Sequence, residues 1–333
     1  MLKLRRGTVV EAGNPSAPMQ RLEVEVAGER RAARADVRLV GAAEAGDEVV
    51  VNVEATDLGL GSGGFDVVHA NLTRGLEGGG AEGAHVMKLN YTSLQHAVLP
   101  VEGEELSLPL ERPVAVLGLH GQLAPLAWAF AEASGGARLG YVQTAGGALP
   151  GALSDTVREL RRRDLLAGHV TAGLSYGGEE EAITTEGALH HGLAAAGWHA
   201  AACGPGPGIL GSASALGHGG MAALDSAHAA LALGCRTVVV ARMSDADPRP
   251  RHRGVSHHTR TVLRLLLGSV TVAVPSGWDA ELETGHEVRR ASADLDGYEA
   301  SGLPARTMGR DLREDPAFFA AALAAGRVLA EML

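Results

Sequence analysis

Disulfide chemistry, aromatic bulk and long apolar runs are all scarce in this sequence. Its 333 residues hold two cysteines, Cys203 and Cys235, which is no disulfide framework for a chain of this length. Aromatic residues make up 3%, so the core must be filled by small and aliphatic side chains. No stretch of about 18 uninterrupted apolar residues occurs, which excludes a membrane-spanning helix. The opening Met1–Gly7 carries charge but no apolar run behind it, so no secretory signal is expected. Basic charge is not in excess either. A net charge of −10 argues against nucleic acid held by bulk electrostatics. These absences lead us to expect a cytoplasmic protein with neither nucleic acid nor membrane as partner.

Glycine, by contrast, is abundant: 46 residues, about twice the usual share. A coding bias toward Ala, Gly and Arg accounts for part of this excess, but the glycines cluster where turns are expected. Residues 1–110 read as a β-rich domain, a small barrel or sandwich. Short runs such as Leu22–Val26 and Val49–Glu54 alternate apolar and polar, and Gly13-Asn14-Pro15 and Gly46-Asp47 separate them. From Pro113 the rhythm changes. Six apolar runs (Val114–Leu119, Leu139–Thr144, Val170–Leu174, His199–Cys203, Thr237–Ala241 and Val270–Val274) alternate with helical patterns. That alternation predicts a doubly wound α/β domain over 113–275 with a mainly parallel sheet. Residues 276–333 read as an appendage with a short extended part, Glu287–Ser292, and a terminal helix. From Pro316 that helix sets Phe318, Phe319, Leu323, Val328, Leu329 and Leu333 on an apolar stripe. The stripe docks on its own domain or on a second copy, and a homo-oligomer is expected.

Open α/β sheets bind ligands beyond the carboxyl ends of their strands, near the point where strand order reverses. The residues at those ends are therefore the candidates. His120 follows the first strand, Ser175 and Tyr176 the third, and Gly204, Gly206 and Gly208 the fourth. After the fifth comes the loop Arg242–Thr259, the densest chemical feature of the chain. Ser256 is placed to cap the next helix, with His257 and His258 in its first turn. The positive helix end disfavours imidazolium there, leaving neutral rings suited to ligation or base chemistry. Three readings of this loop stand side by side. One is a divalent metal held by Asp245, Asp247, His257 and His258, with His252 as a further donor, although the spacing matches no strict zinc signature. Another is an anion held by Arg249, Arg251 and Arg253 with the helix N-terminus. The third is a charged surface or oligomer-contact loop.

Other motifs carry less. Of three G-x-G-x-x-G matches, those at Gly59 and Gly78 precede strand-like runs at Phe65–Val68 and His85–Met87, where a dinucleotide fingerprint needs a helix. The match at Gly206 is stiffened by prolines. Gly173-Leu174-Ser175-Tyr176-Gly177 is a literal G-x-S-x-G at a strand end, which is either a nucleophile elbow or an ordinary glycine-rich turn. His218 and His228 read as structural or surface residues of the helix that they adjoin. Cys203 is either a small core residue or a nucleophile facing the crevice.

Four segments, Asp57–Phe65, His85–Gln95, Arg253–Thr259 and Thr307-Met308-Gly309-Arg310, together resemble a bacterial domain-of-unknown-function family numbered 3866. The resemblance covers essentially the whole chain. It implies a bacterial, cytoplasmic protein and carries no catalytic residue with it. Two functions are therefore expected from the residues themselves. The first is an enzyme acting on a small anionic metabolite, with or without a divalent metal. His257, His258 or His120 would be base or ligand, Ser175 the nucleophile of a metal-free version, and Arg253, Ser256, Tyr176 and the glycines Gly204, Gly206 and Gly208 the ligand's wall. The second is a non-catalytic assembly or ligand-sensing protein.

Overall fold

A computed structural model describes residues 1–60, 63–280, 282 and 285–333. Gly61 and Ser62 lie outside the described residues, and with them part of the motif that begins at Gly59. The chain divides into two compact units, residues 1–99 and 100–333.

The first unit is built on alternation. Strands β1 (Leu4–Ala12), β2 (Met19–Val26) and β3 (Glu29–Asp36) lead through one helical turn, α1 (Val37–Val40), to β4 (Glu48–Asn52). The short α2 (Glu54–Asp57) and β5 (Asp66–Asn71) follow. In β2 every second residue, Gln20, Leu22, Val24 and Val26, is buried. Val9, Val49, Val51 and Val68 join the same core. One face inward and one outward over five strands closes them into a barrel, in the order β1-β2-β3-β5-β4. Gly7 permits the close crossing of β1 over β2, because a Cβ there would lie 2.7 Å from Val24 Cγ1. An antiparallel hairpin, β6 (Val86–Lys88) with β7 (His96–Val98), completes the unit. The strand-like runs expected after the first two glycine motifs are β5 and β6, so no helix opens at either.

The second unit alternates strand and helix: β8 (Pro113–Val116), α3 (Leu123–Ala133), β9 (Leu139–Thr144), α4 (Asp155–Arg162), β10 (Gly168–Ala172), β11 (Glu180–Ala182), α5 (Thr185–His190), β12 (Ala200–Pro205), α6 (Ala222–Ala232) and β13 (Arg236–Val240). A two-stranded ribbon, β14 (Met243–Ser244) and β15 (Gly254–Val255), precedes α7 (His257–Leu265), β16 (Thr271–Pro275) and β17 (Glu287–Ala291). The chain ends with α8 (Leu295–Ala300), a second ribbon of β18 (Arg306–Thr307) and β19 (Arg310–Asp311), and α9 (Pro316–Glu331).

Among the described residues the main sheet has eight strands, ordered β11-β10-β9-β12-β8-β13-β16-β17, and every pairing is parallel. All residues of β8, β9, β10, β12 and β16 are buried. Helices cover both faces, which is why these strands read as continuous apolar runs rather than as alternation. Leu117, Tyr141, Val238 and Ala273 pack with α3 and α9, while Val116, Val142, Val170 and Cys203 pack with α5 and α6. The α/β class is as the sequence predicts. The two strands beyond the expected six, β11 and β17, are edge strands of sequence Glu-Glu-Ala and Glu-Val-Arg-Arg-Ala. Charged edges protect a sheet from further pairing, and the same charge removes the apolar signal.

The segment expected as an appendage supplies β17 and the helix α9, whose residues Ala317–Ala325 are wholly buried. The apolar stripe of α9 is therefore covered by its own unit, apart from Leu333, which lies beyond the helix and is exposed. Alanine and glycine let α9 approach α3 closely. A Cβ on Gly326 would lie 2.9 Å from Ala129 Cβ and from Phe130 N, and nearer still to the Leu126 carbonyl. Replacing Gly326 by Ala improves helix propensity by ~1 kcal/mol, but overpacking against backbone costs about 1–3 kcal/mol. The net effect expected for Gly326→Ala is a lower urea midpoint. An unchanged or raised midpoint would show that α3 and α9 separate freely.

Candidate functional site

Strand order places the site. From β8 the chain steps outward to β9, β10 and β11, returns to β12 beside β8, and then crosses to β13 on the other side. The carboxyl ends of β12, β8 and β13 thus flank the reversal, where loops diverge and leave a crevice. Gln122 ties two of these ends together. Its Oε1 accepts from the Gly118 and Leu119 amides, and its Nε2 donates to the carbonyls of Val240 and Ala241. A small cavity beside it is lined by Gly118, Val240, Arg242, His258, Thr259 and Gly220.

Arg242 follows β13 directly and is 3% exposed. Its Nη1 donates to His258 Nδ1 at 2.9 Å and its Nη2 to Met308 Sδ at 3.3 Å, while Nε has no partner among the described residues. The arginine is an obligate donor, so the neutral His258 ring carries its proton on Nε2. That Nε2 is also buried and without a partner among the described residues. Ser256 caps α7 by accepting from the His258 amide at 3.2 Å, and its hydroxyl lies 2.8 Å from His252 Nδ1. His257 and His258 therefore occupy the first turn, and His252 is pinned beneath them.

A fourth imidazole arrives from elsewhere in the chain. His218 ends the glycine-rich loop after β12 and stacks on His258, with ring centroids 3.7 Å apart and 10° between planes. His257 lies 4.4 Å from His258, and His252 lies 4.9 Å from His257. Such stacking requires neutral rings. Burial, and after it the charge of Arg242, pushes His258 down to about 2 and His252 down to about 4. Burial likewise lowers His218 and His257. Arg242 itself is lowered to about 10, first by burial and then by Arg249.

The carboxylates of the loop are occupied by arginines and indole. Asp247 is fully buried and takes a fork from Arg249, at 2.9 and 2.8 Å. It also accepts from Arg310 at 3.3 Å and lies 3.7 Å from Arg242. The Arg249 fork holds its carboxyl far below the usual range. Asp315, just before α9, accepts from Ser244 Oγ, from the Asp245 amide and from Arg310 Nε. Asp245 Oδ2 accepts from Trp278 Nε1. Arg253 is exposed, and its Nε donates to the Asp247 carbonyl.

Of the residues singled out in the sequence, His257, His258 and Ser256 stand together, joined by His252. His120 belongs to a second group. Its Nε2 lies 2.7 Å from Ser154 Oγ, and its Nδ1 lies 3.3 Å from both Tyr141 Oη and the Pro205 carbonyl. Ser175 is buried in the turn after β10, and the chain beyond it returns as β11 rather than opening a helix. The strand–turn–helix of a nucleophile elbow is thus not formed at 173–177. Tyr176 bridges to Pro150. Gly204 packs on Leu117, Gly206 lies against Gln143 and the Ala148 carbonyl, and Gly208 is open to solvent. Burial raises the Cys203 thiol to about 12, which suits a core residue and not a nucleophile. Sequence reasoning missed His218, Arg242 and Arg310 as site residues. The strand-end rule reaches Arg242 and, through the loop after β12, His218. Arg310 is marked only by the Thr307–Arg310 segment.

A family model described as a protein of unknown function (DUF3866) matches residues 32–326. No curated protein matches. Among solved structures, YjeQ from Thermotoga maritima is similar at 17% identity with a TM-score of 0.15. That match covers 52% of this chain and 61% of the YjeQ chain, and nothing about fold or function follows from a score so low.

The second histidine group has a measurable consequence. Burial holds His120 down to about 4, and holds His169, which stacks on Tyr141, down to about 3. In the unfolded chain both take up protons near pH 6.5. Below that pH the unfolded state binds more protons, so stability is full above 6.5 and falls as pH drops toward the folded values. The expected slope is roughly 1.4 kcal/mol per pH unit for each such histidine. Urea unfolding between pH 7 and 4.5 should show this fall, and His120→Gln should reduce it by one proton's worth. A slope that His120→Gln leaves unchanged would mean that His120 is already charged in the fold.

Proposed function

We propose, for a chain that belongs to the DUF3866 family, that the crevice beyond β12, β8 and β13 binds a small anionic metabolite and acts on it by proton transfer. Arg242 is the anchor. The single observation behind this reading is that its buried guanidinium is under-compensated. Among the described residues, three guanidinium groups, Arg242, Arg249 and Arg310, share two carboxylates, Asp247 and Asp315. A buried charge without full pairing costs several kcal/mol, and an anion beside Arg242 would relieve that cost and satisfy its Nε–H. Neutral imidazoles next to it offer a proton at one nitrogen and a lone pair at the other, which is the equipment of general acid–base chemistry. The two cysteines are buried free thiols, in keeping with the reducing cytoplasm where we place the protein.

Calorimetric titration of the full chain with inorganic phosphate and with a dicarboxylate, in the presence of a chelator, tests the anchor. Wild type should bind at least one of them. Arg242→Met should bind it about 10–100-fold more weakly, the worth of a charge-assisted hydrogen bond. Arg242→Lys, which keeps the charge but not the fork, should fall between. Wild-type protein that takes up neither anion, or Arg242→Met that binds as wild type, would overturn the assignment.

A further inference from the structure

We infer that His218, His257 and His258 form a binding site for one divalent transition-metal ion, and that filling it detaches Arg242 from His258. The inference concerns the crevice proposed above as an anion site, and the metal would be its cofactor.

The geometry is that of a donor set waiting to close. One ring nitrogen from each of the three histidines lies within 4.8 Å of the other two. Around a tetrahedral ion with metal–nitrogen bonds of about 2.0–2.1 Å, such nitrogens stand about 3.3 Å apart. Ring rotations of an ångström or so would bring them there. His218 already has the tautomer of a ligand. Its Nε2–H donates to the Ala215 carbonyl at 3.0 Å, which leaves a lone pair on Nδ1. That Nδ1 is buried and has no partner among the described residues. A backbone carbonyl on the far nitrogen is the usual way in which a metal-bound histidine is oriented. His257 Nε2 is also buried and, among the described residues, without a partner. Backbone space is provided by Gly220, whose absent Cβ would lie 3.0 Å from His218 Nδ1 and 3.1 Å from His258 Nδ1. A ligand set of imidazoles alone suits zinc, cobalt, nickel or copper rather than magnesium or calcium.

Arg242 makes the site conditional. Its N–H occupies the lone pair of His258 Nδ1. If the metal takes Nδ1, it replaces that N–H directly. If it takes Nε2, the imidazole proton moves to Nδ1 and faces an obligate donor. The Arg242–His258 hydrogen bond breaks in either case. The freed guanidinium, with Asp247 3.7 Å away, then stands beside a cation held by three neutral ligands. Asp245 and Asp247 have other partners, so the remaining coordination position is open to an external anion that Arg242 can share.

The test uses the full chain, stripped with a chelator and then titrated with Co²⁺, whose visible absorption reports coordination. One equivalent should bind with the intense bands of a tetrahedral ion, and Zn²⁺ should displace it. His218→Ala and the half-buried His257→Gln should each lose about tenfold or more in Co²⁺ affinity. Arg242→Met should bind Co²⁺ more tightly than wild type, because a competing donor and a positive charge are gone. Phosphate should bind more tightly to the Co²⁺-loaded protein than to the stripped protein. Sub-stoichiometric cobalt, or His257→Gln that binds as wild type, would overturn the metal site. Phosphate affinity indifferent to Co²⁺ would overturn the release of Arg242. Phosphate binding that persists without any Co²⁺ uptake defeats the metal and spares the anion site. Co²⁺ uptake without phosphate binding in either state does the reverse.

Discussion

A carboxylate with no exposed atom, that of Asp247, meets three guanidinium groups at the carboxyl edge of the sheet. The arrangement of the crevice follows from that meeting. Arg249 locks the loop after β14 onto Asp247, Arg310 brings in the ribbon of β18 and β19, and Arg242 is drawn to the end of β13 where it touches His258. Removing one partner of such a buried cluster typically costs about 3–5 kcal/mol, because the others are left uncompensated. Asp315 extends the cluster to the start of α9, so the most deeply buried helix of the unit also holds the outer wall of the crevice in place.

The same cluster dictates the state of the histidines. With positive charge already in excess at Arg242, Arg249 and Arg310, protonation of the neighbouring imidazoles is disfavoured, and burial adds to the penalty. Four imidazoles therefore pack face and edge as uncharged rings, with their tautomers set by whatever lies on the far nitrogen: an arginine for His258, a carbonyl for His218. Neutral stacked histidines with unpartnered nitrogens are costly to bury. The His120 ring is by contrast satisfied by Ser154, Tyr141 and Pro205, and a structural role suffices for it.

Much of the architecture was legible because each layer imposes a period. Barrel strands such as Leu22–Val26 alternate, since only one face is buried. The runs in β8, β9, β12 and β16 are unbroken, since both faces are buried. The edge strand β11 escaped notice, and β17 reads in the sequence only as a short extended part outside the sheet, because an edge is protected by charge, which erases the apolar pattern. The C-terminal segment reads as peripheral because it follows the last of the six apolar runs, yet α9 buries Phe318, Phe319 and Leu323, and its alanines and Gly326 let it sit against α3 at backbone distance.

At the crevice the division is similar. Ser256 with His257 and His258 was readable, since a helix cap and its first turn are set by neighbours in sequence. That the loop Arg242–Thr259 holds many charges was equally plain. Which charges pair was not. Asp247 has arginine partners at positions 242, 249 and 310, and only the packing of α9 and its preceding ribbon brings the last of these within reach. His218 lies 40 residues before His258, and it joins the cluster because β12 and β13 flank β8 and end on the same edge. Periodicity and capping are local and survive in one dimension. The pairing of buried charges and the stacking of rings depend on strand order, which is decided only when the sheet assembles.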